Sequence, residues 1–193
     1  MPAVIRLNPA ECALLLVDLQ EKLVPVVDPD EACVAKADLL ALGARKLGVP
    51  VLATEQYPKG LGKTVEMIAR HLTVPPWEKT RFSAAIDPVI DWLHKDARRT
   101  VILAGMETHI CLAQTALDLI EADFSVAVAV DACAARNGID HQIGCGRMFH
   151  AKAVPVTAEA VLFEWLGDAS SPVFKEISLL VRQSRAALGN IGI

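Results

Sequence analysis

The chain of 193 residues has no uninterrupted apolar run of the roughly 18 residues that a bilayer crossing requires, although 53% of it is apolar. Charged residues recur throughout, which excludes a membrane-spanning helix as the organising element and leaves a soluble chain as the expectation. The first stretch, "MPAVIRLNPAECALLLVDLQ", carries neither a basic leader nor a small-residue cleavage site, and its short apolar run stops at Asp18. The expected location is therefore cytoplasmic. Five cysteines, at positions 12, 33, 111, 133 and 145, are an odd number, widely spaced and without a C-x-x-C pair. That excludes a disulfide framework and a zinc knuckle, so the thiols are expected to be free and no metal is expected. The basic residues are scattered and the net charge is −4, which gives no footprint for nucleic acid or an anionic membrane. A small-molecule substrate remains by elimination.

Two further absences remove nucleotide chemistry. No G-x-G-x-x-G follows an apolar run, so a dinucleotide fingerprint is missing. "GLGKT" (60–64) ends like a phosphate-binding loop, but the required first glycine falls on Tyr57, and Pro58 has no N–H to offer. A turn that places a lysine in solvent is the expected role. Repeats, low-complexity segments and long linkers are also missing, and the length suits one domain over 1–193.

What is present is an alternation. "ALLLVD" (13–18), "VPVLAT" (49–54), "TVILAG" (100–105), "SVAVAVD" (125–131) and "AVPVT" (153–157) are continuous apolar runs, as in strands buried on both faces of a parallel sheet. Between them, 30–48, 86–97, 109–123 and 138–153 have helical length and spacing. The stretch 55–85 is less regular. A last helix is expected within 167–183, with Ser171 as N-cap and Pro172 in its first turn. Strand–helix alternation of this kind predicts an α/β doubly wound sheet.

Such sheets bind ligands beyond the carboxyl ends of their strands. The polar residues there are Asp18, then Glu55 and Gln56, then Glu107 to Cys111, then Asp131. Cys111 falls in the first turn after the third apolar run, where free N–H groups and the helix dipole favour a thiolate and could hold an oxyanion. A buried packing thiol is the competing reading, and it is preferred for Cys12, Cys33, Cys133 and Cys145. A nucleophile needs a proton acceptor. His109 is two residues away and points elsewhere on a helix, and His71, His94, His141 and His150 lie in contexts suited to solvated or capping roles. Asp18 is the remaining candidate, with a turn or cap role as its alternative.

Three segments then carry a family resemblance. "LLLVDLQEKL" (14–23), "EKTRFSA" (78–84) and "AGMETHICL" (104–112), in that order, resemble the active-site segments of the isochorismatase-like cysteine hydrolases. The similarity spans about residues 11–183. With "TEQYPKGLG" (54–62) and "LGDASSPVFKEISLL" (166–180), it is strongest to the isochorismatase domain-containing subgroup. The resemblance implies a six-stranded, mostly parallel sheet with helices on both faces. It also implies a triad of Asp18, Lys79 and Cys111, a cis peptide joining Met106 to Glu107, and an oxyanion hole from the amides of Glu107 and Cys111. No cofactor is implied, and a homo-oligomer is.

The chemistry that follows is hydrolysis of an amide-like C–N bond through a thioester. The stretch after the second run has none of the histidines that bind metal in nicotinamidases of this superfamily. The presence of Cys111 argues against the vinyl-ether cleavage of true isochorismatases. Gln20, Gln56, Tyr57 and Phe82, with Trp77, are candidate substrate contacts, core packing being the alternative for the aromatic three. Two other readings stay open. One is an oligomeric binding or scaffold protein with a vestigial triad, and the other is a thiol redox role with Cys133 as resolving cysteine.

Overall fold

The computed structural model describes residues 6–28 and 31–189. Its strands are β1 Cys12–Val17, β2 Val51–Gln56, β3 Trp77–Lys79, β4 Thr100–Met106, β5 Ser125–Ala134 and β6 Val154–Val156. They form a six-stranded sheet in the order β3-β2-β1-β4-β5-β6, each neighbouring pair parallel. Parallel neighbours require crossovers, and helices supply them: α1 Val24–Val27 and α2 Ala32–Lys46 follow β1, and α3 Pro58–Leu61 and α4 Glu66–Ala69 follow β2. Helix α5 Asp87–Lys95 follows β3, and a single π turn, Thr108–Leu112, runs into α6 Ala113–Glu121 after β4. The chain closes with α7 Gly138–His150, α8 Ala158–Leu166 and α9 Phe174–Gly189.

The pleat explains the two-sided core. Alternate residues of one strand point to opposite faces. Leu14, Leu16, Ile102 and Ala104 accordingly pack with Leu40 of α2, Leu162 of α8 and Ile177 of α9. Ala13, Leu15, Val17, Val101 and Leu103 pack with Leu93 of α5, Leu119 of α6 and Met148 of α7. All six residues of β1 are buried, as a central strand covered on both sides requires.

Several boundaries differ from the sequence reading. The second strand is displaced two residues along, so Glu55 and Gln56 end it rather than follow it. The fourth apolar run continues past Asp131 to Ala134. Asp131 there accepts from Ala158 N at 2.7 Å and pairs with Lys36 at 3.8 Å, which makes it a tether for α8 and not a residue of the ligand edge. Strand β3 was hidden in the irregular stretch because it has three residues. Helix α8 gives no helical signal in the sequence because "AEAVLFEWL" is too evenly apolar to show a period. Its start is set by Thr157, whose hydroxyl accepts from Ala160 N at 3.3 Å. The last helix begins at Phe174, three residues beyond the expected cap. Asp168 binds the amides of Ser170 and Ser171, so Ser171 and Pro172 belong to the preceding turn. Among the described residues, no helix is long and apolar enough to cross a membrane.

Candidate active site

From β1 the chain lays strands outward in both directions, so the sheet order reverses between β1 and β4. This is the switch point at which parallel sheets open a crevice. Asp18 directly follows β1, Lys79 ends β3, and Cys111 lies in the π turn after β4. Gly105 makes the close approach of β1 and β4 possible. At φ 126° its missing Cβ would sit 2.1 Å from the Val17 carbonyl oxygen.

Asp18 turns out of the strand in the left-handed region, at φ 55°, which Asp and Asn tolerate better than most side chains. Its carboxylate is fully buried. Oδ1 accepts from Thr54 Oγ1 at 2.9 Å and Oδ2 from Lys79 Nζ at 2.7 Å, and the Cys111 thiol lies close to the same group. Burial pushes the Asp18 pKa upward, and the charge and hydrogen bond of Lys79 offset this in part. The result is a carboxylate more basic than one in water. Lys79 Nζ also donates to Gln56 Oε1 at 2.7 Å and to the Phe82 carbonyl at 2.8 Å, so the ammonium is held by groups from three segments.

Cys111 is 7% exposed. Its pKa is pushed up to about 12, first by burial and then by the charge of Asp18, against smaller contributions from Lys79 and from a hydrogen bond of the Glu107 backbone. The helix start favours a thiolate, but burial and the Asp18 charge act against it. The dipole of one turn is outweighed by desolvation and by an adjacent anion. What the arrangement holds instead is a neutral thiol beside a strengthened base, with an ammonium that offsets the single negative charge the two groups share.

The other candidates separate clearly. Gln20 is fully buried, with Nε2 donating to the carbonyls of Gln56 and Gly62 and Oε1 accepting from Gln56 N. It clamps the 56–62 loop and has no amide atom left to meet a substrate. Gln56 orients Lys79 and donates to the Thr80 carbonyl at 2.9 Å. Tyr57 and Phe82 are exposed, and Trp77 packs half-buried against the core. Tyr57 lines an open pocket of about 340 Å³ with Pro58, Lys59, Glu78, Lys79 and Thr80. The lysine of "GLGKT" reaches solvent as expected, but it also pairs with Glu55 and Glu78. The Met106–Glu107 peptide is cis. The Cys133 thiol is buried and donates to the Ala129 carbonyl at 3.1 Å, turned toward its own strand.

Some neighbours of the site gave no sequence signal. Arg136 forks onto Glu107, with Nε and Nη2 each 3.0 Å from a carboxylate oxygen. Thr115 Oγ1 accepts from Ala84 N at 2.8 Å and donates to the Cys111 carbonyl at 2.6 Å, fastening the 78–84 segment to the nucleophile turn. His141, expected to lie in a solvated or capping context, has Nδ1 3.0 Å from Thr108 Oγ1. His71 is likewise buried against Asp38 at 2.8 Å rather than solvated.

A parallel sheet covered on both faces, with polar side chains gathered at its switch point, defines an α/β protein of the kind that binds ligands at its carboxyl edge. The chain belongs to the isochorismatase family: the isochorismatase domain matches residues 12–160. Isochorismatase domain-containing protein 2 of Bos taurus is 40% identical over 196 residues, covering 100% of this chain and 93% of that protein. Among solved structures, the MAR1 ribonuclease of Caenorhabditis elegans superposes with a TM-score of 0.88 at 38% identity, covering 92% of this chain and 93% of that one. YcaC of Escherichia coli, described as an octameric hydrolase of unknown specificity, gives 0.83 at 26% identity, over 99% and 98%.

Proposed function

We propose that the protein is a cytoplasmic cysteine hydrolase that cleaves an amide-like C–N bond of a small molecule without a metal. The observation that carries this reading is the buried Lys79–Asp18 pair, 2.7 Å apart, with the Cys111 thiol close beside it. Asp18 takes the thiol proton as sulfur attacks the carbonyl carbon. The amides of Glu107 and Cys111 hold the oxygen that becomes negative. Asp18 then returns its proton to the leaving amine, and the C–N bond breaks to leave a thioester on Cys111. Water, deprotonated by Asp18, adds to the thioester and releases the acid and the thiol. Lys79 stays charged throughout and keeps Asp18 oriented between the two proton positions.

The test is a panel of simple amides and N-carbamoyl compounds, followed by ammonia release and by intact-mass detection of an acyl adduct on Cys111. Turnover that disappears in Cys111→Ala and in Asp18→Asn supports the reading. A second reading comes from the nematode relative's name, MAR1 ribonuclease, so RNA belongs in the same panel. A net charge of −4 is a poor start for binding a polyanion. RNA cleavage indifferent to Cys111→Ala would replace the amidase reading. Inertness toward both, with Cys111 alkylation unchanged by Asp18→Asn, would leave a scaffold. The octameric assembly of the E. coli relative supports a homo-oligomer here, which light scattering would test.

A further inference from the structure

Three consecutive features surround Glu107. Its carbonyl accepts from the amides of Ile110 and Leu112, at 3.0 and 3.2 Å, closing the π turn that carries Cys111. Its own backbone lies close to the Cys111 thiol. Its carboxylate is buried, 9% exposed, and is gripped by both donors of the Arg136 fork, whereas Arg136 itself is 55% exposed.

The fork is set by strand register. Leu103 pairs with Val128, but Gly105 pairs with Cys133, so β5 inserts an irregular segment opposite Ala104 before Met106 meets Ala134. That shift delivers Arg136, two residues beyond the end of β5, to the side chain that follows Met106. Bulges of this kind re-aim side chains at sheet ends.

We infer that Arg136 is a positioning residue for the nucleophile. It fixes the Glu107 side chain, and with it the residue whose carbonyl closes the Cys111 turn, and it neutralises the carboxylate at the start of that turn. This rests on the reading of Cys111 as a nucleophile. A bidentate guanidinium–carboxylate pair fixes orientation as well as charge. Without Arg136, Glu107 would keep a buried anion unpaired at the start of the nucleophile turn, or rotate its carboxylate to water and take the turn with it.

The experiment is alkylation of Cys111 by neutral iodoacetamide and by anionic iodoacetate, read by peptide mass spectrometry. It compares the wild type with Arg136→Gln, Arg136→Lys, Asp18→Asn and the double variant Arg136→Gln/Glu107→Gln, each checked for a cooperative melt. Arg136→Gln is expected to slow iodoacetamide by about tenfold and iodoacetate by more, the scale of one uncompensated charge at short range in protein. Arg136→Lys should fall between, since it keeps charge and loses the fork. Adding Glu107→Gln should remove most of the gap between the two reagents. Equal losses for both reagents that Glu107→Gln does not relieve would mean a merely structural role and overturn the inference. So would a wild-type profile in Arg136→Gln. If Asp18→Asn leaves Cys111 alkylation unchanged, the nucleophile reading fails whatever Arg136 does. If Asp18→Asn alters it and Arg136→Gln does not, only the inference fails.

Discussion

Three neighbouring strands end in a buried carboxylate answered by a cation, and the pairs at β1 and β2 differ most. Asp18 and Lys79 have side chains 0% and 1% exposed, while Glu55 is 1% exposed and its partner Lys63 is 67% exposed. Glu55 also accepts from Thr64 N at 2.7 Å and Thr64 Oγ1 at 2.9 Å. Its charge is met by hydrogen bonds within the loop, and the lysine is an addition from solvent. Asp18 has one hydroxyl, from Thr54, and otherwise depends on a cation as deeply buried as itself. A buried ion pair of that kind adds little net stability compared with an apolar pair of the same shape, and breaking it is costly. Such an arrangement is useful where a proton must move between groups without a net change of charge.

Removing one cation from each pair should therefore give opposite results. Lys79→Ala is expected to have the largest effect of any single change considered. It strands a buried carboxylate, which costs about 3 to 5 kcal/mol in comparable cases, and urea unfolding would read it. Asp18→Asn is the milder companion, because Lys79 keeps Gln56 Oε1 and the Phe82 carbonyl as acceptors and Asn also tolerates the left-handed backbone at φ 55°. It should fold and yet lose turnover by roughly 10²- to 10⁴-fold, the usual contribution of a proton-transferring group. An Asp18→Asn protein with unaltered turnover would make the two pairs equivalent and remove Asp18 from the chemistry.

Next in size is Gly105→Ala, which touches neither pair but sets the distance between β1 and β4. The added Cβ would meet the Val17 carbonyl oxygen at 2.1 Å, and both partners are backbone in a central sheet. A loss of at least about 2 kcal/mol is expected from the combined clash and positive φ. A fall confined to stability, with Cys111 reactivity intact, would show that the β1–β4 approach can relax without moving the site.

The comparison also marks what the sequence could reveal. Asp18 and Cys111 were legible because each directly follows a continuous apolar run, and a parallel sheet places strand ends together. Lys79 was not legible in that way. Its strand has three residues, and only the likeness of "EKTRFSA" to a known segment singled it out. The Arg136–Glu107 pair left no trace, since it depends on a register shift in β5 that the run "SVAVAVD" does not announce. The protonation of Cys111 at rest is legible only in part. Position at a helix start is visible in sequence, but the burial and the neighbouring anion that outweigh it are tertiary. Gln20 was misplaced for a related reason: a glutamine near a strand end can face the ligand or close the loop behind it, and the hydrogen bonds decide.

A smaller effect separates the thiol from the carboxylates by pH. Folding raises the Cys111 pKa from 9.0 to about 12. Between those values the folded thiol keeps a proton that the unfolded chain has released, so the stability linked to it is complete below 9 and fades as pH rises toward 12. Cys12, pushed up to about 11 by burial, adds a loss of the same sign. Cys111→Ser should therefore make the alkaline decline of stability shallower by one bound proton, measured by urea unfolding from about pH 8 to about pH 11. An unchanged slope would mean that the thiol is solvated more fully than its 7% exposure allows.

The smallest effect belongs to Lys63→Ala. Lys63 lies 3.3 Å from Glu55 and 3.4 Å from Glu78, contacts long enough and exposed enough for salt to weaken them. Glu55 would keep both Thr64 donors, so the buried carboxylate is not stranded as Asp18 is without Lys79. The expected outcome is a marginal change in melting temperature that disappears at high salt, with Cys111 alkylation unaltered. The informative partner is Thr64→Val, which removes the hydroxyl donor and leaves the amide. If Thr64→Val destabilises more than Lys63→Ala, the charge of Glu55 is balanced by neutral donors, and of these two pairs only the one at β1 depends on its cation. If Lys63→Ala is the more damaging, an exposed lysine governs a buried carboxylate after all, and burial of the cation ceases to distinguish Asp18–Lys79 from its neighbour.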